Sequence, residues 1–270
     1  MLVLIRGGGD LASGVALRLH RVGLRVVITE LTQPLAVRRL VCFSEAVYSG
    51  ECSVESVTAR RVTDPTDTLR VLQILSKGHI AVLVDPGGEA VKHLHPHVVV
   101  DGRMTKQPVP LMPDRVNLII GMGPGFVAGE NCHAAIETNR GHMLGRVIWQ
   151  GAPEPNTGEP DAVASHRSTR VLRAPADGEL VTRAEICDHV EPGQLIAEVA
   201  GQPVVASFKG VLRGLLHPGI PVTAGLKIGD VDPRDDPRFC TLVSDKSLAI
   251  GGGVLEAILS RPELRPYLWA

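Results

Sequence analysis

The sequence predicts an α/β protein: a mainly parallel sheet covered by helices, followed by a second, smaller all-β domain. Three observations predict it. Short Val/Ile/Leu runs end again and again in glycine or an acid. The first of these runs opens a strand, glycine loop, helix and strand in succession. Farther along, residues 174–231 repeat with an offset of 32 residues.

The elements follow in chain order. Leu2 to Ile5 is an apolar run, and Arg6-Gly7-Gly8-Gly9-Asp10 follows it. Leu11, Val15, Ala16 and Leu19 then recur at helical spacing up to Arg21, with Gly23 just past the end. Leu24 to Ile28 is a second strand that runs into Thr29 and Glu30. This is a βαβ start of Rossmann type. Asp64 to Lys77 reads as a helix opened by Asp64-Pro65. Further strands run over Ile80 to Val84, ending in Asp85; His97 to Val100, ending in Asp101; and Val116 to Ile120, ending in Gly121. Residues 123–142, GPGFVAGENCHAAIETNRGH, combine a glycine-rich turn with a hairpin whose return strand is Arg146 to Trp149. The stretch 151–168 is Gly-, Pro- and Ala-rich and reads as a linker.

In the second part, Ala174-Pro-Ala-Asp-Gly178 recurs as Ala206-Ser-Phe-Lys-Gly210, and Val190-Glu-Pro-Gly193 as Val222-Thr-Ala-Gly225. Two copies with glycines in register imply a pseudo-twofold β-domain. It resembles the barrel-sandwich hybrid of biotinyl and lipoyl carrier domains. Those carriers display a lysine on the hairpin between the halves, and here that place reads Val199-Ala-Gly-Gln-Pro203, so a carrier role is disfavoured. The tail, Ser247 to Ser260, reads as a triple glycine opening an apolar helix that either binds an anion or packs closely, with packing favoured. The expected domains are residues 1–165 (Rossmann-like), 166–235 (barrel-sandwich-like) and 236–270 (a helical segment packing back on the chain).

Composition excludes several classes. The 270 residues are 44% hydrophobic but only 3% aromatic, so the core is built from Val, Leu, Ile and Ala. A net charge of -1 gives no general attraction to nucleic acid or an anionic membrane. No apolar run approaches the ~20 residues of a membrane helix. The five cysteines are odd in number and form no C-x-x-C pair, which argues against a disulfide framework and a structural zinc site. The N-terminus enters a strand at once and shows no signal-peptide pattern, so the expected location is cytoplasmic.

In open parallel sheets, ligands bind at the carboxyl ends of the strands. There the sequence places Gly7, Gly8, Gly9 and Asp10, with Ser13 on the following helix, then Glu30, Asp85, Asp101, and Gly121, Gly123 and Gly125. The first loop is a phosphate cradle at a helix N-terminus, though its spacing fits only a stretched G-x-G-x-x-G. Glu30 lies where an acid bonds a ribose hydroxyl. Arg38 and Arg39 either clamp phosphate or are surface charges. His93, His95 and His97 would share one face of a strand as metal ligands, but Pro96 interrupts them; a connecting loop is the better reading, and no metal is expected. Cys132 and His133 suggest a nucleophile and base. On an extended segment, however, adjacent side chains point to opposite faces. The better reading is a gripping element in which His133, Glu137, Arg140 and His142 line a site, with Cys132 as a separate candidate for chemistry.

Four stretches together resemble a known family: VLIRGGGDLASGVALRLHRVGL, VRRLVCFSEAVYSGE, GMGPGFVAGENCHAAIETNRGHMLGRVIWQG and IGGGVLEAIL. These are similar to the accessory, or maturation, proteins of the selenium-dependent molybdenum hydroxylase system, over nearly the whole chain. The N-terminal part also resembles the Rossmann-type domain of xanthine dehydrogenase accessory proteins. The resemblance implies a cytoplasmic protein that helps prepare or insert the cofactor of a molybdenum hydroxylase, with selenium delivery involved. It carries over the motif positions Gly7 to Asp10, Arg38, Arg39, Cys132, His133, Glu137, Arg140 and His142, but no catalytic roles. One departure stands out: Pro108 sits where the pattern has an Asn behind Lys106, and cannot supply its amide.

The leading expectation is therefore an accessory protein that binds a phosphate-bearing ligand, a molybdopterin-type cofactor or a nucleotide. Cys132 would be a carrier of sulfur or selenium. A NAD-dependent oxidoreductase and a non-catalytic assembly module are the alternatives. The expected partner is the hydroxylase, with homo-oligomerisation left open.

Overall fold

The computed structural model describes residues 1–107, 109–110, 116–156 and 169–268. Pro108 and most of the expected linker, with the 165/166 boundary, lie outside them. The chain divides into two compact units. The first holds Met1–Pro34, Phe43–Asn156 and Val243–Ala270; the second holds Leu35–Cys42 and Thr157–Leu242.

The first unit is built on one nine-stranded sheet. Its chain runs β1 (Leu2–Arg6), α1 (Asp10–Arg21), β2 (Arg25–Glu30), α2 (Ala46–Ser49), β3 (Glu51–Val54), β4 (Val57–Val62), α3 (Thr68–Ser76), β5 (Ile80–Val84), α4 (Ala90–Leu94), β6 (Val98–Asp101), β7 (Leu118–Met122), β8 (Ala134–Ile136) and β9 (Val147–Ile148). The strand order is β3-β4-β5-β2-β1-β6-β7-β8-β9. Strands β4 to β8 are mutually parallel, and antiparallel β3 and β9 close the two edges. The central strands are covered on both faces, so they read as unbroken apolar runs: Val3 to Ile5, Val26 to Ile28, Ile80 to Leu83 and Val98 to Val100 are all buried.

Two details differ from the expectation. The helix expected from Asp64 starts at Thr68. Asp64 instead folds back onto the amide and hydroxyl of Thr66, and Asp67 caps the helix by accepting from Arg70 N–H at 2.9 Å. The β3–β4 hairpin was not expected. It turns on Glu55 and Ser56, both left-handed (φ 44° and 70°), as a two-residue primed turn requires, without the usual glycine to announce it. The three histidines do not share a strand. His93 is on α4, His95 is its left-handed C-cap, and His97 accepts the Leu2 N–H through Nδ1.

The second unit contains β10 (Val171–Arg173), β11 (Gly178–Thr182), β12 (His189–Val190), β13 (Leu195–Val199), β14 (Gln202–Val205), β15 (Gly210–Leu215), β16 (Pro221–Val222), β17 (Lys227–Asp232) and α5 (Arg238–Thr241). It forms two antiparallel sheets, β10-β17-β15-β12 and β14-β13-β11-β16. The 32-residue offset exchanges β10 with β14, β11 with β15, β12 with β16 and β13 with β17, and so converts one sheet order into the other. The repeat is therefore a real pseudo-twofold. The halves meet at the β13–β14 turn, with Ala200 and Gly201 at φ 50° and 75° and no lysine at the tip. Asp230 and Asp232 are buried on β17 and paired with Arg170, Arg213 and Arg234.

The last α-helix, α6 (Asp245–Leu259), belongs to the first unit. Ser244 caps it, accepting from Ser247 N–H, so the triple glycine lies in the middle of the helix and not at its N-terminus. The reason is close packing on α1 and on the 141–146 turn. A Cβ on Gly14 would lie 2.5 Å from Ser247 Cβ, and one on Gly253 would overlap the Gly145 carbonyl. Among the described residues no helix is long and apolar enough to cross a membrane. Because both backbones are fixed where α1 meets α6, Gly14→Ala is expected to cost about 1–3 kcal/mol of stability in urea unfolding. An unchanged midpoint would refute the contact.

Candidate functional site

The sheet of the first unit reverses direction at β1. The chain adds β2 and then β5 on one side, and β6 and then β7 on the other. The carboxyl ends of β1 and β6 therefore form the switch point at which α/β sheets open a crevice. Register places Arg6 opposite Asp101 there.

The glycine loop beside this point is filled by the protein itself. Gly7 N–H donates to Thr29 O at 2.8 Å. Gly8 N–H donates to Glu30 Oε1 at 2.6 Å, and Leu31 N–H donates to Oε2 at 2.7 Å. The Ser13 hydroxyl donates to Gly8 O and accepts from Phe43 N–H. Gly9 caps α1, and Asp10 accepts from the Ser247 hydroxyl at 3.0 Å. A Cβ on Gly8 would stand 2.9 Å from Ser44 N, so glycine there serves the close approach of the 43–44 segment. The cradle reading of Gly8 is corrected accordingly, since its amide already faces a carboxylate. Glu30 is corrected with it. It is a loop fastener, and its burial raises its pKa despite those two bonds.

The other acids are similarly engaged. Asp85 accepts from the N–H groups of Gly88, Glu89 and Ala90 and so caps α4. Asp101, 1% exposed, is held by Arg103 through Nε and Nη2, at 2.9 and 2.6 Å. Arg6 is paired more loosely: Nη1 lies 3.8 Å from Asp101, and Nη2 donates to Gly87 O at 3.2 Å. Its Nε is buried without a hydrogen-bond partner. Gly123 and Gly125 lie under the segment that follows β6; Met104 approaches the first and Gln107 the second. Met104 and Lys106 are left-handed, at φ 54° and 59°. Gly121, on β7, makes room for the Phe126 ring.

The expected gripping element does not converge. Glu137, 2% exposed, accepts from Thr138 and Asn139 N–H through Oε1 and from Glu154 N–H through Oε2. Arg140 makes a two-pronged bridge to Asp245 at 2.9 Å on each arm. His142 is exposed, and its carbonyl accepts from Arg146. Cys132 is 6% exposed and belongs to a hydrophobic cluster with Ile119, Phe126 and Ala135. Burial pushes its thiol up to about 11, which leaves on the order of 10⁻⁴ thiolate at neutral pH. That is the reverse of what a reactive carrier needs, and corrects the chemical role proposed for it. His133 sits in a bend just before β8, and its Nδ1 accepts from Ile119 N–H at 2.9 Å. A neutral His133 therefore carries its proton on Nε2.

His133 and Cys132 do border a cavity of about 650 Å³, together with Val116, Ile119, Trp149 and Arg261. The Arg261 guanidinium stands 5.5 Å over the Trp149 ring. Arg38 and Arg39 belong to the second unit. Arg38 donates to Phe239 O and Leu242 O, and Arg39 to Leu215 O, so both are bound to backbone carbonyls instead of being presented as a phosphate clamp. Arg103, Trp149 and Arg261 were not expected. Only position, two residues after an acid that ends a strand, could have marked Arg103.

No family model matches the chain. It is 45% identical over 258 residues to Uncharacterized protein YqeB of Escherichia coli (strain K12), an alignment that covers 96% of this chain and 47% of that protein. Over those residues the two are homologous. The chain spans about half the length of the curated relative it matches. Among solved structures it is similar to an aspartoacylase family protein of Mesorhizobium loti, at 13% identity and a TM-score of 0.29, covering 85% of this chain and 84% of that one. It is likewise similar to a succinylglutamate desuccinylase/aspartoacylase of Rhodobacter sphaeroides, at 15% identity and a TM-score of 0.27, with the same two coverages. Likenesses that distant carry no argument about the reaction.

The state of Glu30 has a pH signature. Its folded-state pKa lies above 4.5, so its contribution to stability is complete below that value and is lost as pH rises through the raised pKa. Glu30→Gln removes this dependence. In urea unfolding, the stability of the wild type relative to the variant should fall as pH rises from about 4.5, then level off. A constant difference would show that the Glu30 carboxyl is not desolvated as described.

Proposed function

We propose that the chain is an accessory protein in the maturation of a selenium-dependent molybdenum hydroxylase. It takes a phosphate-bearing ligand, a molybdopterin-type cofactor or a nucleotide, at the carboxyl edge of the sheet. The hydroxylase rests on the sequence resemblance. The ligand site rests on one observation, Arg6, whose buried Nε lacks a partner at the switch point. An anionic oxygen would satisfy it with a charge-assisted bond. On this reading the phosphate is held by the side chains of Arg6 and Arg103, because the Gly8 amide is already occupied by Glu30.

The test is mass spectrometry of the small molecules released when the purified protein is gently denatured. A phosphate-bearing molecule is expected from the wild type. Arg6→Gln should retain roughly tenfold less, the equivalent of one charge-assisted hydrogen bond, and should lower hydroxylase maturation in cells. A wild type that releases no such molecule, or a variant that retains it fully, overturns the ligand site. Normal hydroxylase activity in cells lacking the chain overturns the accessory role.

A NAD-dependent oxidoreductase is the second reading, favoured by the β5-β2-β1-β6-β7 order alone, since Glu30 at the end of β2 is spent on Gly8 and Leu31. Titration with NADH, followed by its fluorescence, separates the two. No binding at millimolar concentration removes it.

A further inference from the structure

Two cysteines of the second unit meet at one carbonyl group. Cys187 N–H donates to Leu212 O at 2.9 Å, and Cys240 Sγ, on α5, donates to the same oxygen at 3.8 Å. The two residues differ in access: Cys240 is fully buried, and Cys187 is half-buried. Cys187 is also left-handed, at φ 86°, a conformation that side-chain-bearing residues rarely adopt and that tends to mark functional positions. Burial first, and then the hydrogen bond to the adjoining Cys187 side chain and the charge of its thiolate form, push Cys240 up to about 12.

We propose that Cys187 and Cys240 form a thiol–disulfide exchange site that takes small-molecule disulfides. An accessible attacking thiol beside a buried resolving thiol is the arrangement such exchange uses. The Cys187 thiolate attacks one sulfur of a disulfide RSSR, forming a mixed disulfide and releasing RS⁻, which takes up a proton. Cys240 then loses its proton to solvent base and attacks Cys187 Sγ. The protein disulfide forms and the second RS⁻ leaves, also to be protonated. In sum, two protein thiols and RSSR give one protein disulfide and two RSH. The protein is oxidised and the small disulfide reduced. Because Cys240 is held protonated, the second step is slow at neutral pH and gains about tenfold per pH unit below its pKa. The other cysteines do not offer this arrangement: Cys42 and Cys132 are buried, and burial holds the Cys52 thiol near 12.

The experiment treats the full chain with oxidised glutathione, then reads intact mass and alkylation of each cysteine. In the wild type, a glutathione adduct on Cys187 should give way to a species lacking two hydrogens, faster at higher pH. Cys240→Ser should stop at a lasting adduct on Cys187, and Cys187→Ser should leave Cys240 reduced. Alkylation sites in the wild type give the same answer should either variant fold poorly. If Cys187 and Cys240 both remain alkylatable after oxidation at alkaline pH, or if another cysteine reacts first, the site does not exist.

Discussion

A carboxylate buried at the carboxyl end of a parallel strand must find donors, because an unpaired charge away from water is far more expensive than a lost hydrogen bond. The first unit meets this demand mainly with its own backbone. Glu30 takes the amides of Gly8 and Leu31, Asp85 takes those of Gly88, Glu89 and Ala90, and Glu137 takes those of Thr138, Asn139 and Glu154. After Asp85, Gly88 at φ 77° lets the turn bend close enough for its N–H groups to converge. Each of these acids thus fixes loop backbone at the end of its strand. The conformation of the whole carboxyl edge depends on them.

This explains why the edge was legible in the sequence and yet partly misread. The glycine-plus-acid pattern does mark the carboxyl ends of β1, β5 and β6, and the βαβ order follows from apolar runs and one amphipathic helix. What the pattern does not reveal is whether the amides face a ligand or the neighbouring carboxylate. That depends on Glu30 reaching back to Gly8, a contact between residues 22 apart. The same limit applies to Glu137, Arg140 and His142. They sit together in sequence, but the first is consumed by its turn and the second by Asp245 on α6. Here adjacency in the chain was a poor guide to convergence in space.

Periodicity served better where symmetry enforced it. In the second unit, a 32-residue offset relates every strand to another, and the two sheets exchange under it. A repeat fixes pairing as well as position, because each half can bury its apolar face only against the other. The α6 glycines were legible only as a choice between anion site and packing. Ser244 decides it by starting the helix seven residues before Gly251.

Charge pairing at the switch point narrows what the crevice could accept on the proposed reading. Asp101 already has a two-pronged partner in Arg103, so its demand for positive charge is largely met. Arg6 stands 3.8 Å away, beyond hydrogen-bond distance, and the nearby Asp85 is saturated by three amides. Its guanidinium is the group left with the most to gain from a new partner. Burial and the neighbouring Arg103 both lower its pKa, which means that its surroundings disfavour positive charge as they stand. An anion at Nε would reverse that penalty, whereas a cation would add to it. A ligand presenting one phosphate oxygen to Arg6 therefore suits the edge. A metal ion there, with no acid left unengaged among Glu30, Asp85 and Asp101, would first have to break the pairs that hold the loops in place.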